Sequence, residues 1–168
     1  MKNLSFITIV LIAFVSCKDK GDLTISADNL TECPAETNCS YIFTESADVT
    51  DNFNFKSGIY RVFKVQKRNG DRSESLFIKA PMDGKSFTLS AEEIKTRFSL
   101  RTDCAGCFIL VSKPLFGTVK GVNTTPDKPA DQAQWLLDIN VVIGTVNTEI
   151  PVDTIRIKQY FSPNFVYN

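Results

Sequence analysis

The sequence predicts an all-β domain: an antiparallel β-sandwich, or a partly open β-barrel, with at most one short helix. Three observations carry this. β-branched and aromatic residues dominate from Tyr41 onward, apolar side chains recur with a period of two, and Gly, Pro and Asn turn signals break the chain at short intervals. One polar face per strand suits antiparallel sheets, because strands buried on both faces read as continuous apolar runs. About eight or nine short strands of this kind fit a sandwich or a barrel.

Residues 18–38 read as a tether and irregular lead-in, with 22–27 as a candidate short edge strand. Tyr41-Ile42-Phe43 is one apolar run and residues 49–55 another. Residues 57–67 form a clearer strand. Ile59, Phe63 and Val65 share one face, interrupted by Arg61, while Tyr60, Val62, Lys64 and Gln66 share the other. Arg68-Asn69-Gly70-Asp71 supplies an Asn-Gly hairpin turn. Residues 75–80 are the returning strand, and Pro81-Met82-Asp83-Gly84 turns the chain into a strand at 85–90. Ser90-Ala91-Glu92-Glu93 has the capping-box pattern and opens a helix to about Phe98. Residues 107–111 and 115–122 read as strands, and 123–133, with two prolines, as a loop. Trp135, Leu137, Ile139, Val141 and Ile143 alternate with Asp138 and Asn140 through a strand at 135–145, the strongest in the chain. The last strand, 152–161, sets Ile155, Ile157 and Phe161 against Arg156, Lys158 and Tyr160, with a short tail from Ser162.

At the N-terminus, Met1-Lys2-Asn3 leads with a positive charge into an apolar run at 4–15, closed by Ser16 and Cys17. That is the layout of a secretory signal peptide, and the run is shorter than the ~20 apolar residues of a membrane span. Phe14-Val15-Ser16-Cys17 resembles a bacterial lipobox. Lys18-Asp19-Lys20-Gly21-Asp22 resembles the export signal that follows the cysteine in Bacteroidota-type surface lipoproteins. This resemblance covers only about the first twenty residues. It implies cleavage before Cys17, a diacylglycerol on its sulfur, and an outer-membrane anchor with the domain on the periplasmic or exterior face. Stable anchoring takes more than one acyl chain, which bacterial lipidation supplies. The expected organisation is a signal peptide at 1–16, a lipidated cysteine, tether and lead-in at 17–38, and a β-sandwich at 39–168.

Composition excludes more than it identifies. The chain has no histidine. That removes Ser-His-Asp and Cys-His nucleophiles, histidine-ligated zinc and the usual general base near neutral pH. The charges balance and no basic patch or RNA-binding motif is present, so nucleic acid is not expected as a partner.

Besides Cys17 there are Cys33, Cys39, Cys104 and Cys107. An even count in an exported chain reads as two disulfides. Of the three pairings, the local ones, Cys33–Cys39 and Cys104–Cys107, are expected. Cys104-Ala105-Gly106-Cys107 has redox-motif spacing, but Phe-Ile-Leu-Val follows it, without the helix whose N-terminus lowers a thiolate pKa. A four-cysteine zinc site fits poorly with the Cys33–Cys39 gap.

The carboxylates fall in loops and caps: Asp48 and Asp51, Glu92 and Glu93, Asp127 and Asp131, Glu149 and Asp153. A glycosidase needs two of them across a cleft, and Asp48-Val49-Thr50-Asp51-Asn52 lacks the spacing of a known calcium loop. Trp135 belongs to a core face, whereas Tyr60 and Tyr160 belong to polar faces.

The expected function is a non-catalytic binding or accessory lipoprotein of the outer membrane or cell surface, with no cofactor and no metal. Its expected partners are the membrane, through the anchor, and an envelope protein or glycan. Asn123, Thr124, Thr125, Asp127, Lys128 and Asp131 form the candidate binding loop, since a long loop on a rigid β scaffold is where recognition tends to sit. The alternatives are a barrel-like carrier of a small apolar ligand and a carboxylate-dependent glycan hydrolase.

Overall fold

The computed structural model describes residues 23–106, 111–146 and 148–164. Its elements are β1 (Asn38–Val49), β2 (Phe55–Ser57), β3 (Tyr60–Asn69), β4 (Arg72–Pro81), β5 (Ser86–Leu89), α1 (Ala91–Arg97), β6 (Phe98–Cys104), β7 (Ser112–Asn123), β8 (Trp135–Thr145) and β9 (Pro151–Pro163). The protein is all-β and sandwich-like. The strands form one path, β5-β7-β8-β9-β1-β3-β4-β6, with β2 hydrogen-bonded to β1, and the sheet does not close on itself.

The path folds into two layers. β1, β2, β3, β4 and β6 pair antiparallel in the first. β5, β7, β8 and β9 do so in the second. The layers join where β1 runs parallel to β9, pairing Ile42 with Ser162 and Phe43 with Pro163. Their inner faces meet in one core, centred on Phe63, whose ring lies 5.4–5.7 Å from those of Phe43, Phe87, Trp135 and Phe161. Trp135 is buried there, as the alternation of its strand requires.

α1 packs its buried Ile94 into the same core. Ser90 caps it as expected: its hydroxyl accepts from the Glu93 N–H, and the Glu93 carboxylate accepts from the Ser90 N–H at 2.9 Å. That bond from the backbone holds the Glu93 carboxyl below its usual range. The helix stops one residue short of the expected end. Phe98 is its C-cap in extended geometry (φ −117°, ψ 129°) and is already the first residue of β6.

Several expectations need correction. Residues 23–27 form no strand. The lead-in meets the sheet further on, where Thr31 N–H donates to the Lys158 carbonyl and the Thr31 hydroxyl accepts from Lys158 N–H, both at 2.8 Å. The run at 41–43 belongs to the long β1, and 49–55 is its turn into β2. Ile59 lies outside β3 and is 77% exposed. The Asn-Gly signal is displaced by one residue: Asn69 pairs with Arg72, and the turn residues are Gly70 (φ 53°) and Asp71. β6 was not expected, and β9 extends through Ser162 to Pro163. Of the strand expected at 107–111, residues 107–110 lie outside the described residues, and Val111 is exposed and not in a strand.

Arg61 is the buried exception in the core-facing row of β3, 6% exposed. Its Nε and Nη2 donate to Glu45 Oε1 at 3.0 and 2.9 Å, Nη2 also donates to the Met82 carbonyl at 3.2 Å, and the guanidinium lies 4.2 Å from the Trp135 ring centroid. A β-bulge presents Glu45 to it. The β1–β3 register shifts between Thr44 and Ala47, and Ser46 takes φ 50°, a left-handed conformation that costs a non-glycine residue about 1 kcal/mol.

Burying one charge and leaving its partner half-exposed makes removal asymmetric. Glu45→Gln strands a buried guanidinium and is expected to cost about 2–4 kcal/mol. Arg61→Met leaves a carboxylate that water can reach and is expected to cost less. Urea unfolding of the two variants checks this, and equal losses would refute the account.

Candidate functional site

Alternation along β3 turns Tyr60, Val62, Lys64, Gln66 and Arg68 away from the core. Cross-strand register then builds this outer face row by row. Lys64 pairs with Phe77, and Phe77 with Ser99. Gln66 pairs with Ser75, and Ser75 with Arg101. Arg68 pairs with Ser73, and Ser73 with Asp103. The face has two characters. At one end the β1–β2 hairpin lays Phe53 and Phe55 over Phe77, with centroids 5.8 and 5.9 Å away, closing a second small apolar cluster with Ala47 and Val62. At the other end the surface is polar and cationic.

The cations on this face differ in their partners. Asp48 serves Lys79 at 3.4 Å and Lys56 at 3.9 Å. The Val49 N–H, followed by these two lysines, holds the Asp48 carboxyl below its usual range. Arg97 pairs with Glu93 at 3.2 Å and Arg101 with Asp103 at 2.8 Å. Lys64 and Arg68 have no carboxylate partner among the described residues. Lys64 lies 5.6 Å from the Phe77 centroid and donates to Gln66 Oε1 at 3.4 Å, while Gln66 Nε2 reaches the Ser73 hydroxyl at 3.5 Å. Burial, and then the positive charge of Arg68, push the Lys64 ammonium below its usual pKa. Tyr60, expected on a polar face, is half-buried between Lys79 and Arg97, at 5.4 and 5.9 Å.

The expected binding loop joins β7 to β8 and is tied at its neck. Thr124 N–H donates to the Gln134 carbonyl at 2.8 Å, Gln134 N–H to the Thr125 hydroxyl at 2.7 Å, and Thr125 N–H to Asn123 Oδ1 at 2.9 Å. A single 3-10 turn, Ala130–Gln132, follows Pro129, and Ala133 anchors the loop in the core. Thr124, Asp127, Lys128 and Asp131 are exposed, whereas Asn123 and Thr125 are half-buried parts of the neck. The loop is therefore held by its base, with its charges free to meet solvent.

The remaining candidates are engaged in structure or spread apart. Cys33 and Cys39 are disulfide-bonded. Cys104 is disulfide-bonded too, and Cys107, its expected partner, lies outside the described residues, as does Cys17. Glu92 pairs with Lys95 at 2.9 Å, and this pairing raises the Lys95 pKa. Tyr160 is half-buried on the outer face of β9, opposite Leu136. A cleft of about 370 Å³ beside α1 is lined by Lys95, Lys113, Pro114, Leu115, Phe116 and Glu149. No group of three or more potential metal ligands gathers among the described residues.

Sequence reasoning missed Lys64, Arg68 and Gln66 as a constellation. The alternation of 57–67 placed Lys64 and Gln66 on the polar face, but the absence of a counter-charge is a property of neighbouring strands. Comparison with protein-family models, curated proteins and solved structures found no match for this chain.

The Cys33–Cys39 bridge fastens the lead-in to β1 close to the Thr31 contact with β9. Cys33→Ser/Cys39→Ser is expected to cost about 2 kcal/mol in the chain-entropy account of so short a loop. It should also raise the hydrogen-exchange rate of the Lys158 amide while leaving Ile139, in the centre of β8, protected. An unchanged Lys158 rate would show that the bridge does not position the lead-in.

Proposed function

We propose that this chain is a non-catalytic binding or accessory lipoprotein of the bacterial outer membrane, anchored through Cys17, which recognises an envelope protein or glycan. The observation that carries the reading is the N-terminal order of positive start, short apolar run, lipobox-like Phe14-Val15-Ser16-Cys17 and polar tether.

The shape of the domain supports binding over the alternatives. A barrel-like carrier needs roughly 300 Å³ or more between its inner faces to hold a small ligand. Here the inner faces are filled by interlocking aromatic rings, and the opening between them, at Val65, Leu76, Leu100, Ile155 and Ile157, holds about 50 Å³. A carboxylate hydrolase needs two free carboxyls facing each other across a cleft, and three of the eight carboxylates named above, Asp48, Glu92 and Glu93, are instead committed to lysines, an arginine and a helix cap. What the domain offers outward is a rigid β face and a loop fixed at its neck, both suited to contact with a large partner.

Two measurements test this reading. Mass spectrometry of the detergent-extracted protein should find Cys17 acylated and N-terminal, with Cys17→Ser released in soluble form. A wild-type protein recovered soluble with a free Cys17 thiol would overturn the anchor. Replacing residues 124–131 by a Gly/Ser linker should remove one or more partners from the envelope cross-linking pattern while the β-sheet circular dichroism is kept. An unchanged pattern would take the loop out of recognition.

A further inference from the structure

The outer face of the first layer carries Lys56, Lys64, Arg68, Lys79, Arg97 and Arg101 against Asp48, Glu93 and Asp103. The carboxylates are all used: Asp48 by two lysines, Glu93 by Arg97 and Asp103 by Arg101. Two of the three excess positive charges are therefore Lys64 and Arg68, and the third is shared by Lys56 and Lys79 around Asp48. Lys64 and Arg68 lie on the same face of β3, four residues apart, which is about 13 Å of strand. The amide of Gln66 stands between them, and the half-buried hydroxyl of Ser73 stands on the neighbouring strand, where Ser75 is buried.

A half-buried ammonium without a counter-charge is costly, because desolvation is not repaid by pairing. The Phe77 ring under Lys64 offsets part of this cost. An anion arriving at the row would offset more, and it would relieve the repulsion between Lys64 and Arg68 at the same time. Two cations spaced along a strand, with an amide between them and a hydroxyl beside them, match a ligand that presents anionic groups at intervals and hydroxyls in between.

We propose that this face binds an acidic polysaccharide, with Lys64 and Arg68 taking its carboxylate or sulfate groups and Gln66 and Ser73 its hydroxyls. Tyr60 and Phe53, half-buried at the far end, continue the same surface, with Lys79 and Arg97 against the Tyr60 ring and Arg101 against that of Phe53. The proposal rests on the binding-lipoprotein reading and specifies its ligand. The structural alternative is that Lys64 merely lays its alkyl stem over Phe77, and Lys64→Met preserves that contact while removing the charge.

The test uses the full-length lipoprotein in detergent, titrated calorimetrically with polygalacturonate, dextran sulfate and neutral dextran. The expected result is salt-sensitive binding to at least one polyanion and none to dextran. The two polyanions distinguish a carboxylate from a sulfate ligand. Lys64→Met and the exposed Arg68→Gln should each weaken binding tenfold or more, while Lys64→Arg retains it. Equal affinity in wild type and Arg68→Gln would overturn the proposal, as would no binding to either polymer. Equally tight binding to phosphatidylglycerol vesicles, lost in the same variants, would overturn it in favour of a lipid surface. Membrane fractionation and envelope cross-linking of the same proteins separate the two levels. If polyanion binding fails while the protein stays membrane-anchored with its partners, the acidic-glycan proposal falls and the lipoprotein reading stands.

Discussion

Ile42 with Ser162 and Phe43 with Pro163 are the two pairs that carry the hydrogen-bond ladder from one layer into the other. The Asn164 N–H extends the ladder by donating to the Phe43 carbonyl at 2.7 Å. β1 and β9 run parallel and pair only here, at the middle of β1 and the C-terminal end of β9, and the rest of each strand belongs to its own layer. Phe43 and Phe161, beside the junction, both pack on Phe63. The junction and the core thus support each other, and so short a junction leaves an edge of β9 that Thr31 partly covers. A bare strand edge invites pairing with another chain, so this cover protects as well as docks.

Much of this was legible in the chain, for physical reasons. β8 matches its expected bounds because an uninterrupted inward row of large apolar residues admits one register only. The Ser90–Glu93 cap was legible because both partners lie within one helical turn. β6 was hidden. Phe98-Ser99-Leu100-Arg101-Thr102-Asp103 does alternate, but it follows the helix without a loop, and Phe98 ends one element while beginning the next. In the sequence alone, Arg61 looks like an interruption of a core face. Its burial depends on a bulge sixteen residues earlier in the chain and on the carbonyls of a later turn.

The same distinction applies to the site. The loop between β7 and β8 was visible as a run of turn residues between two strands, and its neck confirms a fixed hairpin connection rather than a floppy one. The cationic row was not visible. Its meaning lies in which carboxylates fail to reach it, and Asp48, Glu93 and Asp103 are assigned to their partners by the hairpin, the helix and β6. Sequence gives the inventory of charges. Only the fold says which remain uncompensated.

The disulfide-bound lead-in has a mechanical consequence. The described chain enters through Thr31, which grips β9, and the Cys33–Cys39 loop, which delivers it to the start of β1. Tension applied from the N-terminal side loads the Thr31–Lys158 hydrogen bonds first, so that β9 takes the force. Once they part, the Cys33–Cys39 bridge carries the load straight to Cys39 in β1 and keeps residues 34–38 from extending. The bridge leaves no slack: a pull from that side is felt first by β9 and then by β1, one strand of each layer.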